Sequence, residues 1–276
     1  MSEIRVREIL DRYGLSTTKS LGQNFLRESA VLEQIAAAAG RGSNVLEIGA
    51  GIGTLTNLLA KEAKQVVTVE IDRHLEPLLT QEVTAQNHRF VWSDILECDL
   101  AALREEQFGG ERYTVVGNLP YYITTEILLM LFAAIGGWEK AVLMVQKEVA
   151  ERLLCQEGTK EYRALSVITQ ACCQGELLLE VPPHCFVPAP HVHSAVLTLI
   201  PREDRPDQGF FSFVRSGFAA RRKMLCSSPA FQQRCGLDKE GIRALLQAAG
   251  LAENARGETF SPSEWIRLYE LAQNMN

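Results

Sequence analysis

Four consecutive residues, Asn118, Leu119, Pro120 and Tyr121, carry groups suited to chemistry on a planar exocyclic amine. They directly follow an apolar run, 113–117, whose composition predicts a buried strand. The side-chain oxygen of an asparagine can accept one N–H of such an amine, and a backbone carbonyl of the same turn can accept the other. Proline lacks an N–H and has a fixed φ, so Pro120 helps to aim that carbonyl, and the Tyr121 ring offers a stacking face. The structural alternative is a proline turn with a packed tyrosine.

A second signal is a glycine-rich turn, in which the apolar run 45–48 leads through Gly49, Gly51 and Gly53 into a predicted helix. A strand, a glycine turn and a helix N-terminus together let a ligand approach the backbone closely. The G-x-G-x-G spacing departs from the G-x-G-x-x-G pattern of dinucleotide enzymes, which use a similar turn. The turn alone is therefore a weak indication of a nucleotide-type cofactor.

Two acidic residues stand at the ends of the next apolar runs. The run 65–69 ends at Glu70, and an acid at the tip of a second strand can accept both hydroxyls of a ribose. The run 89–92 leads to Asp94, which can accept a hydrogen bond from an adenine amine. Three strand tips thus supply a glycine turn, a ribose acid and an adenine acid along one sheet edge, beside Asn118. We therefore predict an S-adenosylmethionine site next to a site of amine methylation.

Length and composition argue against a membrane-spanning, secreted or disulfide-stabilised protein. The chain has 276 residues, 46% of them hydrophobic, and no apolar stretch approaches the ~20 residues needed to span a bilayer. Its first residues lack the form of a signal peptide, and its seven cysteines show no paired spacing, which argues against a disulfide framework. We therefore expect a cytoplasmic protein without a membrane partner.

One group of residues has the chemistry of metal ligands but not the spacing. It lacks the C-x-x-C and helical H-x-x-x-H patterns of zinc sites. Buried cysteine is commonly just a small apolar residue, so we predict no metal. The group consists of Cys172, Cys173, His184, Cys185, His191 and His193.

The net charge of −6 argues against a nucleic-acid binder that uses its whole surface. Residues 201–276, however, carry 11 Lys and Arg against 9 Asp and Glu. The densest basic run there is Arg221, Arg222 and Lys223, which we predict to contact RNA locally; a solvated surface is the alternative. A second basic set that could flank the same cleft edge is Lys19, Arg27, Lys147, Arg152, Lys160 and Arg163.

Alternating strand and helix patterns predict an α/β protein with a doubly wound, seven-stranded sheet whose last strand is antiparallel. The charged segment 201–209 contains two prolines and marks a boundary. We predict a catalytic domain over 1–204 and a small all-α, RNA-substrate domain over 205–276. The predicted strands are 44–49, 65–70, 89–92, 113–117, 140–146, 176–181 and 194–200. The predicted helices are 4–13, 28–39, 54–63, 73–84, 124–135, 147–155, 163–173, 210–220, 239–249 and 262–273.

Several motifs together resemble one enzyme family over about residues 12–270. They are Lys19-x-x-Gly-Gln-Asn-Phe-Leu26, the turn from Glu47 to Thr56, Asn118-Leu-Pro-Tyr121, Gln146-Lys-Glu148, Phe186-x-Pro-x-Pro-x-Val-x-Ser-Ala-Val196 and the basic run at 221–223. The chain is similar to the small-subunit (16S-type) ribosomal RNA adenine N6,N6-dimethyltransferases. It resembles less closely a sister family, the large-subunit rRNA methyltransferases of macrolide resistance. One departure is Arg163, where the family pattern has glycine.

The resemblance implies a class I methyltransferase that dimethylates two adjacent adenines of small-subunit ribosomal RNA within an assembling 30S-type particle, acting as a monomer. It implies that Asn24 and Leu26 touch the methionine end of the cofactor. It also implies that Asn118 is shared between the cofactor edge and the target amine, and that Phe186 stacks on the target adenine opposite Tyr121. Two other classes remain open: a nicotinamide oxidoreductase and a non-catalytic ribosome-assembly or transcription factor. Protein-glutamine and DNA-adenine methyltransferases are the nearest alternatives in substrate.

Overall fold

The computed structural model describes residues 5–16, 22–221 and 223–275. The chain forms two compact units, Met1–Ala150 with Glu176–Pro201 and Glu151–Gly175 with Arg202–Asn276. The longer segment of the second unit starts at Arg202, near the predicted boundary at 204/205, and its other segment, Glu151–Gly175, falls within the predicted first domain. The reason is packing, because the helix Ala164–Cys172 lies against the helices Gly209–Phe218 and Pro262–Asn274.

The first unit is built on a seven-stranded sheet with the strand order β4-β3-β2-β5-β6-β9-β7. The five strands β2 to β6 are parallel neighbours, and β9 runs antiparallel to β6. This confirms the predicted α/β class and the mixed seven-stranded sheet. The strands are β2 (Asn44–Ile48), β3 (Gln65–Glu70), β4 (His88–Trp92), β5 (Tyr113–Asn118), β6 (Trp138–Gln146), β7 (Cys173–Val181) and β9 (Ser194–Pro201).

The central strands are predominantly apolar because both faces of the sheet are covered. Every residue of β2 is buried, as are Tyr113 to Gly117 of β5. Parallel strands covered on both faces characteristically form such continuous apolar runs. The helices of this unit are α1 (Val6–Arg12), α2 (Ser29–Ala39), α3 (Thr54–Glu62), α4 (Glu76–Glu82), α5 (Leu100–Phe108) and α6 (Thr124–Ala133). The next helix, α7 (Lys147–Leu154), begins in the first unit and ends in the second.

Two elements of this unit were missed by the sequence analysis. Helix α5 begins after Asp99, whose carboxylate accepts the N–H groups of Ala101 and Ala102, and it ends at Gly109 with φ +59°. Both are recognisable capping signals, and they could have identified the helix. The other element is a two-stranded antiparallel sheet in which β1 (Phe25–Leu26) pairs with β8 (Phe186–Val187).

The second unit contains α8 (Ala164–Cys172), α9 (Gly209–Phe218), α10 (Pro229–Cys235), α11 (Lys239–Ala248) and α12 (Pro262–Asn274). Its core surrounds Trp265, whose indole N–H donates to the Gly257 carbonyl at 3.1 Å. Phe213 and Phe231 contact that ring edge to face, and Phe218 stacks on it. Helix α12 begins at a capping box, as its sequence predicted.

Arg163, the residue that departs from the family pattern, precedes α8 with φ −139° and ψ 176°. This is ordinary extended backbone, so the loop needs no glycine there. The Arg163 N–H donates to the Ser166 hydroxyl, which in turn donates to the Arg152 carbonyl. The substitution is therefore accommodated without backbone strain.

Within the described ranges, no helix combines the length and the apolar character required to cross a bilayer. All seven cysteines are free thiols. The same described part of the chain brings together no group of three or more His, Cys, Asp or Glu side chains that could hold a metal ion.

Candidate active site

A cleft in the first unit opens at the C-terminal ends of β2, β3, β4 and β5, the edge where parallel α/β sheets bind ligands. Residues from four strand ends, from the segment that contains β1 and from the start of α6 line it. Ten of the residues that the sequence analysis selected line this cleft. These are Asn24, Leu26, Gly49, Gly51, Glu70, Asp94, Asn118, Leu119, Pro120 and Tyr121.

The three glycines of the turn have different surroundings. Gly49 has φ +80° and faces open space, since a β-carbon placed there would meet no atom within 4 Å. A β-carbon at Gly53 would lie 2.6 Å from the Val83 side chain and 3.1 Å from that of Leu79. Gly53 does not line the cleft. Glycine is required at position 53 so that the turn can pack against Leu79 and Val83. The position of Gly53 does not support its predicted contact with the cofactor.

The Glu70 carboxylate joins the tip of β3 to the glycine turn. One oxygen accepts the N–H groups of Ala50, at 2.8 Å, and Gly51, at 3.3 Å, and the other accepts that of Asp72 at 2.8 Å. Burial raises the pKa of Glu70, while these three hydrogen bonds act in the opposite direction. A carboxylate has about four lone-pair sites, so Oε1 keeps the capacity to accept a ligand hydroxyl.

Glu47, inside β2, is a buried acid that the sequence analysis did not select as a site residue. Its Oε2 accepts the hydroxyls of Thr56 and Thr68, both at 2.7 Å, whereas Oε1 is buried without a hydrogen-bond partner. Burial raises the pKa of Glu47 to about 7, against the lowering effect of the two threonines. The carboxyl is therefore held close to its point of titration in the folded protein.

This raised pKa predicts a stability loss with rising pH. Below about 4.5 the carboxyl is protonated in both states and has no effect, whereas above about 7 it is ionised in both and its burial opposes folding. Between pH 5 and 8.5 we expect the free energy of unfolding to fall by about 2–3 kcal/mol relative to Glu47→Gln, since one pKa unit is about 1.4 kcal/mol. Urea unfolding of both proteins at the two pH values measures this. A difference that does not change with pH would contradict the assignment.

Asp94 follows β4 and lines the cleft beside Ser93 and Ile95. One of its carboxylate oxygens, Oδ1, accepts the Leu96 N–H at 2.9 Å and caps a short 3-10 turn. This bond fixes the direction of the side chain and leaves the second oxygen with acceptor capacity. The position fits the predicted contact with an adenine amine.

Asn118, the last residue of β5, is oriented by a residue 94 positions earlier in the chain. Its Nδ2 donates to the Asn24 carbonyl at 3.1 Å. Because the donor end of the amide is engaged, Oδ1 is the end that can accept a hydrogen bond. The sequence predicted both residues at the cleft but not the bond between them.

The turn after Asn118 determines which backbone carbonyl can act with it. The Pro120 carbonyl accepts the Ile123 N–H at 3.3 Å and the Thr124 hydroxyl at 2.9 Å. These two bonds occupy the Pro120 oxygen. The Leu119 carbonyl is therefore the better second acceptor, and the Leu119 N–H is held by the Met144 carbonyl at 2.9 Å.

Tyr121 lines the cleft, and its hydroxyl forms a 2.7 Å hydrogen bond with Ser194 of β9. Burial raises the pKa of Tyr121, and the bond to Ser194 lowers it. Phe186 is placed differently from the prediction, because its ring is 2% exposed and belongs to a hydrophobic core with Leu26, its partner across the β1–β8 pair. It does not line the cleft. In this structure Phe186 is therefore a core aromatic between prolines.

A polar contact next to the cleft was also missed. Gln23 donates from Nε2 to the Asp72 carboxylate at 2.8 Å, and the other Asp72 oxygen contacts His74 at 3.0 Å. Asp72 is 5% exposed, and its N–H bonds Glu70. The segment that carries Asn24 is thus attached to the tip of β3. Of the residues at the tip of β3, the sequence analysis selected Glu70 and not Asp72.

The three basic residues predicted to bind RNA lie in the second unit. Arg221 forms an ion pair with Glu258 and donates to the Thr159 carbonyl at 3.2 Å, so its charge is engaged within the protein. Lys223 is exposed, and Arg222 lies outside the described residues. From the second basic set, Lys147 pairs with Glu180 at 2.8 Å, and Lys19 also lies outside the described residues.

Comparison with known proteins gives one consistent result. The profile of the family described as "Ribosomal RNA adenine dimethylase" matches residues 14–274. Proteins from Geobacillus thermodenitrificans and Lactiplantibacillus plantarum, both named "Ribosomal RNA small subunit methyltransferase A", are 42% and 43% identical to this chain. Each alignment covers 96% of this chain, with 94% of the Geobacillus protein and 93% of the Lactiplantibacillus protein.

Solved structures agree on the fold. The crystal structure of a dimethyladenosine transferase from Plasmodium falciparum superposes with a TM-score of 0.76 at 23% identity, covering 88% of this chain and 95% of that one. The crystal structure of the 23S rRNA methyltransferase ErmE gives a TM-score of 0.66 at 28% identity, covering 91% and 100%. The doubly wound sheet is therefore the methyltransferase variant that the sequence predicted.

Proposed function

The chain belongs to the ribosomal RNA adenine dimethylase family, and from this premise we propose that it methylates the N6 amines of two adjacent adenines in small-subunit ribosomal RNA. The products would be N6,N6-dimethyladenosines, and the methyl donor would be S-adenosylmethionine. The observation that carries the proposal is the bond from Asn118 to the Asn24 carbonyl, which turns one amide oxygen into a fixed acceptor at the cleft.

The cleft has the donors and acceptors that S-adenosylmethionine needs. When bound, this cofactor supplies an electrophilic methyl group on a positively charged sulfur. Glu70 would accept from the ribose hydroxyls through its remaining acceptor capacity, and Asp94 from the adenine amine. Gly49 and Gly51 would let the cofactor lie against the backbone, and Asn24 and Leu26 would contact its methionine end.

The chain's own part in catalysis is to hold a weak nucleophile. The lone pair of an adenine N6 amine is delocalised into the ring. If Asn118 Oδ1 accepts one N–H and the Leu119 carbonyl accepts the other, nitrogen is drawn toward a tetrahedral, more nucleophilic geometry. No strong base is needed, because the proton leaves readily once nitrogen is methylated and cationic. Most of the acceleration would then come from positioning, consistent with two fixed acceptors in a preformed turn.

The target base must be unpaired or flipped to reach such a cleft. Stacking on Tyr121 offsets part of that cost, at about 1–3 kcal/mol per base. The hydrogen bond to Ser194 fixes the position of the Tyr121 hydroxyl and so the direction in which the side chain extends. Phe186 could stack opposite Tyr121 only if its ring became exposed, so in our proposal Tyr121 provides the fixed face. The second methylation requires space for an amine that has one N–H left.

The direct test is to compare the rRNA of cells with and without this protein by mass spectrometry. We expect two adjacent N6,N6-dimethyladenosines in small-subunit rRNA, and their loss when the gene is deleted. The purified protein with S-adenosylmethionine should restore them on small subunits from the deleted strain. Retention of both modified residues in the deleted strain would refute the proposal.

We propose further that the helical second unit contacts RNA, with Lys223 as its exposed cation in the basic run. Replacing Lys223 by alanine should weaken RNA binding and reduce the slope of log affinity against log salt by about one, the effect of one lost phosphate contact. The matched control is Lys239→Ala, an exposed lysine at the start of α11. An unchanged slope for Lys223→Ala would mark the run as solvated surface.

The setting of the reaction is part of the same proposal. The substrate would be RNA in an assembling 30S-type particle, and the enzyme would act as a cytoplasmic monomer. Arg221 would support the RNA-binding surface indirectly, because its pair with Glu258 anchors the start of the basic run.

A further inference from the structure

Tyr122 is the most exposed aromatic side chain of the protein. The chain has 11 phenylalanines, 6 tyrosines and 3 tryptophans, all within the described residues. Tyr122 alone among them is classed as exposed, at 54% of its surface. An exposed aromatic side chain offers a face on which a planar ligand can stack, and its place on the protein decides whether such a ligand can reach it.

Its position is at the cleft. Tyr122 lines the cleft directly after Tyr121, the residue proposed to stack on the target base. The turn that carries it is fixed at both sides, because the Pro120 carbonyl accepts hydrogen bonds from Ile123 and Thr124. The backbone of Tyr122 therefore needs no ordering when a ligand arrives.

The ring is also supported from behind. A β-carbon placed on Gly22 would lie 3.5 Å from Cδ1 and 3.6 Å from Cε1 of Tyr122, so this part of the ring lies against the backbone of the segment before β1. Gly22 has φ +62°, which favours glycine. One edge of the ring thus lies near the Gly22 backbone, while about half of the residue's surface is exposed to solvent.

We propose that Tyr122 is a second base-stacking site, which receives the nucleotide next to the adenine in the cleft. The inference rests on the proposed function, since it requires a flipped adenine beside Tyr121. When one base leaves a strand to enter the cleft, its neighbour loses a stacking partner. A supported aromatic face at the next residue of the chain replaces that partner, as in proteins that bind successive bases of a single strand.

This arrangement suits a base better than a charged group. Among the described residues, the site combines a neutral ring with the Gly22 backbone, and the turn 118–124 carries no charged side chain. It would tolerate any base, because every base has a π face. The subsite would therefore position the strand and keep the neighbouring adenine unpaired, ready for its own entry.

The experiment combines protein variants with altered RNA. The affinity of an RNA hairpin containing the two adenines is measured for the full chain, Tyr122→Ala, Tyr122→Leu and Tyr122→Phe. Each protein is also tested with RNAs in which the nucleotide 5′ or 3′ of the target adenine lacks its base. Thermal unfolding and S-adenosylmethionine affinity are measured for every variant as controls for folding and for the cofactor site.

We expect Tyr122→Ala to bind the intact RNA about tenfold more weakly, the effect of losing one stacked base. Tyr122→Phe should recover most of the affinity, and Tyr122→Leu should recover little because it lacks the π face. One of the two abasic RNAs should bind the full chain as weakly as intact RNA binds Tyr122→Ala. That abasic RNA should bind Tyr122→Ala no more weakly than it binds the unaltered protein, because the ring and the missing base form a single contact.

Unchanged RNA affinity of Tyr122→Ala would overturn the proposal. The proposal would also be overturned if, for both abasic RNAs, the loss of affinity from the missing base and the loss from Tyr122→Ala were additive. The ring would then contact something other than a base. These outcomes are distinct from failure of the proposed function. In that case the unaltered protein would not methylate small subunits from the deleted strain, whatever residue stands at position 122.

Discussion

Replacing Asn118 by alanine should lower kcat by about 10³ while S-adenosylmethionine binding stays measurable. The variant loses the one side-chain oxygen that is fixed to accept from the target amine, because Asn118 Nδ2 is held by the Asn24 carbonyl. Removal of a single preorganised hydrogen-bonding group from an active site costs about 10²–10³ in kcat, and the positioning of the amine is lost as well. Single-turnover methylation of RNA with saturating cofactor measures the chemical step directly.

Two further variants make this test specific. Asn118→Asp keeps an acceptor of the same size but replaces the N–H that faces the Asn24 carbonyl by an oxygen, so the side chain should turn away and turnover should also fall. Asn57→Ala is the matched control, because Asn57 likewise donates to a backbone carbonyl, that of Glu82 at 2.8 Å, but does not line the cleft. It should leave kcat unchanged. Wild-type turnover in Asn118→Ala would remove the residue from the mechanism.

The sheet and its edge could be predicted from the sequence because the signals are local. A parallel strand buried on both faces is a continuous apolar run, and its tip is the first polar residue or glycine after that run. Glu70 and Asn118 end two such runs, Asp94 follows the partly exposed edge strand β4, and the structure places all three at one cleft. Observed strand ends lie within three residues of the predicted ones, as for 173–181 against 176–181.

What the sequence could not predict depends on contacts between distant residues. The partner of Asn118 is 94 residues away, and the pairing of Phe25–Leu26 with Phe186–Val187 joins segments about 160 residues apart. That pairing buries Phe186, which the resemblance had placed against the target adenine. The clash that requires Gly53 comes from Leu79 and Val83, and no spacing rule relates those residues to a glycine turn.

The pairing of charges could not be predicted from the sequence for the same reason. A run of basic residues in a sequence does not show which charges are already paired, and Arg221 is engaged by Glu258, 37 residues further along. For Glu47, in contrast, the sequence already shows a carboxylic acid inside an apolar strand. Only the structure shows that Oε1 has no partner and that two threonines hold the other oxygen.

Replacing Glu70 by alanine should weaken S-adenosylmethionine binding about 10–100-fold, the effect of losing a hydrogen bond to a charged group. The carboxylate has two duties, since it would accept from the ribose and it already holds the Ala50, Gly51 and Asp72 N–H groups. Glu70→Gln distinguishes the loss of these hydrogen bonds from a simple loss of side-chain volume. Glutamine has nearly the same shape as glutamate, but one carboxylate oxygen is replaced by an NH2 group, which donates hydrogen bonds and repels those N–H groups. Both variants should therefore lose affinity by calorimetric titration, with kcat at saturating cofactor less affected than in Asn118→Ala. If affinity is unaltered in Glu70→Ala, the ribose lies elsewhere and the carboxylate only fixes the turn.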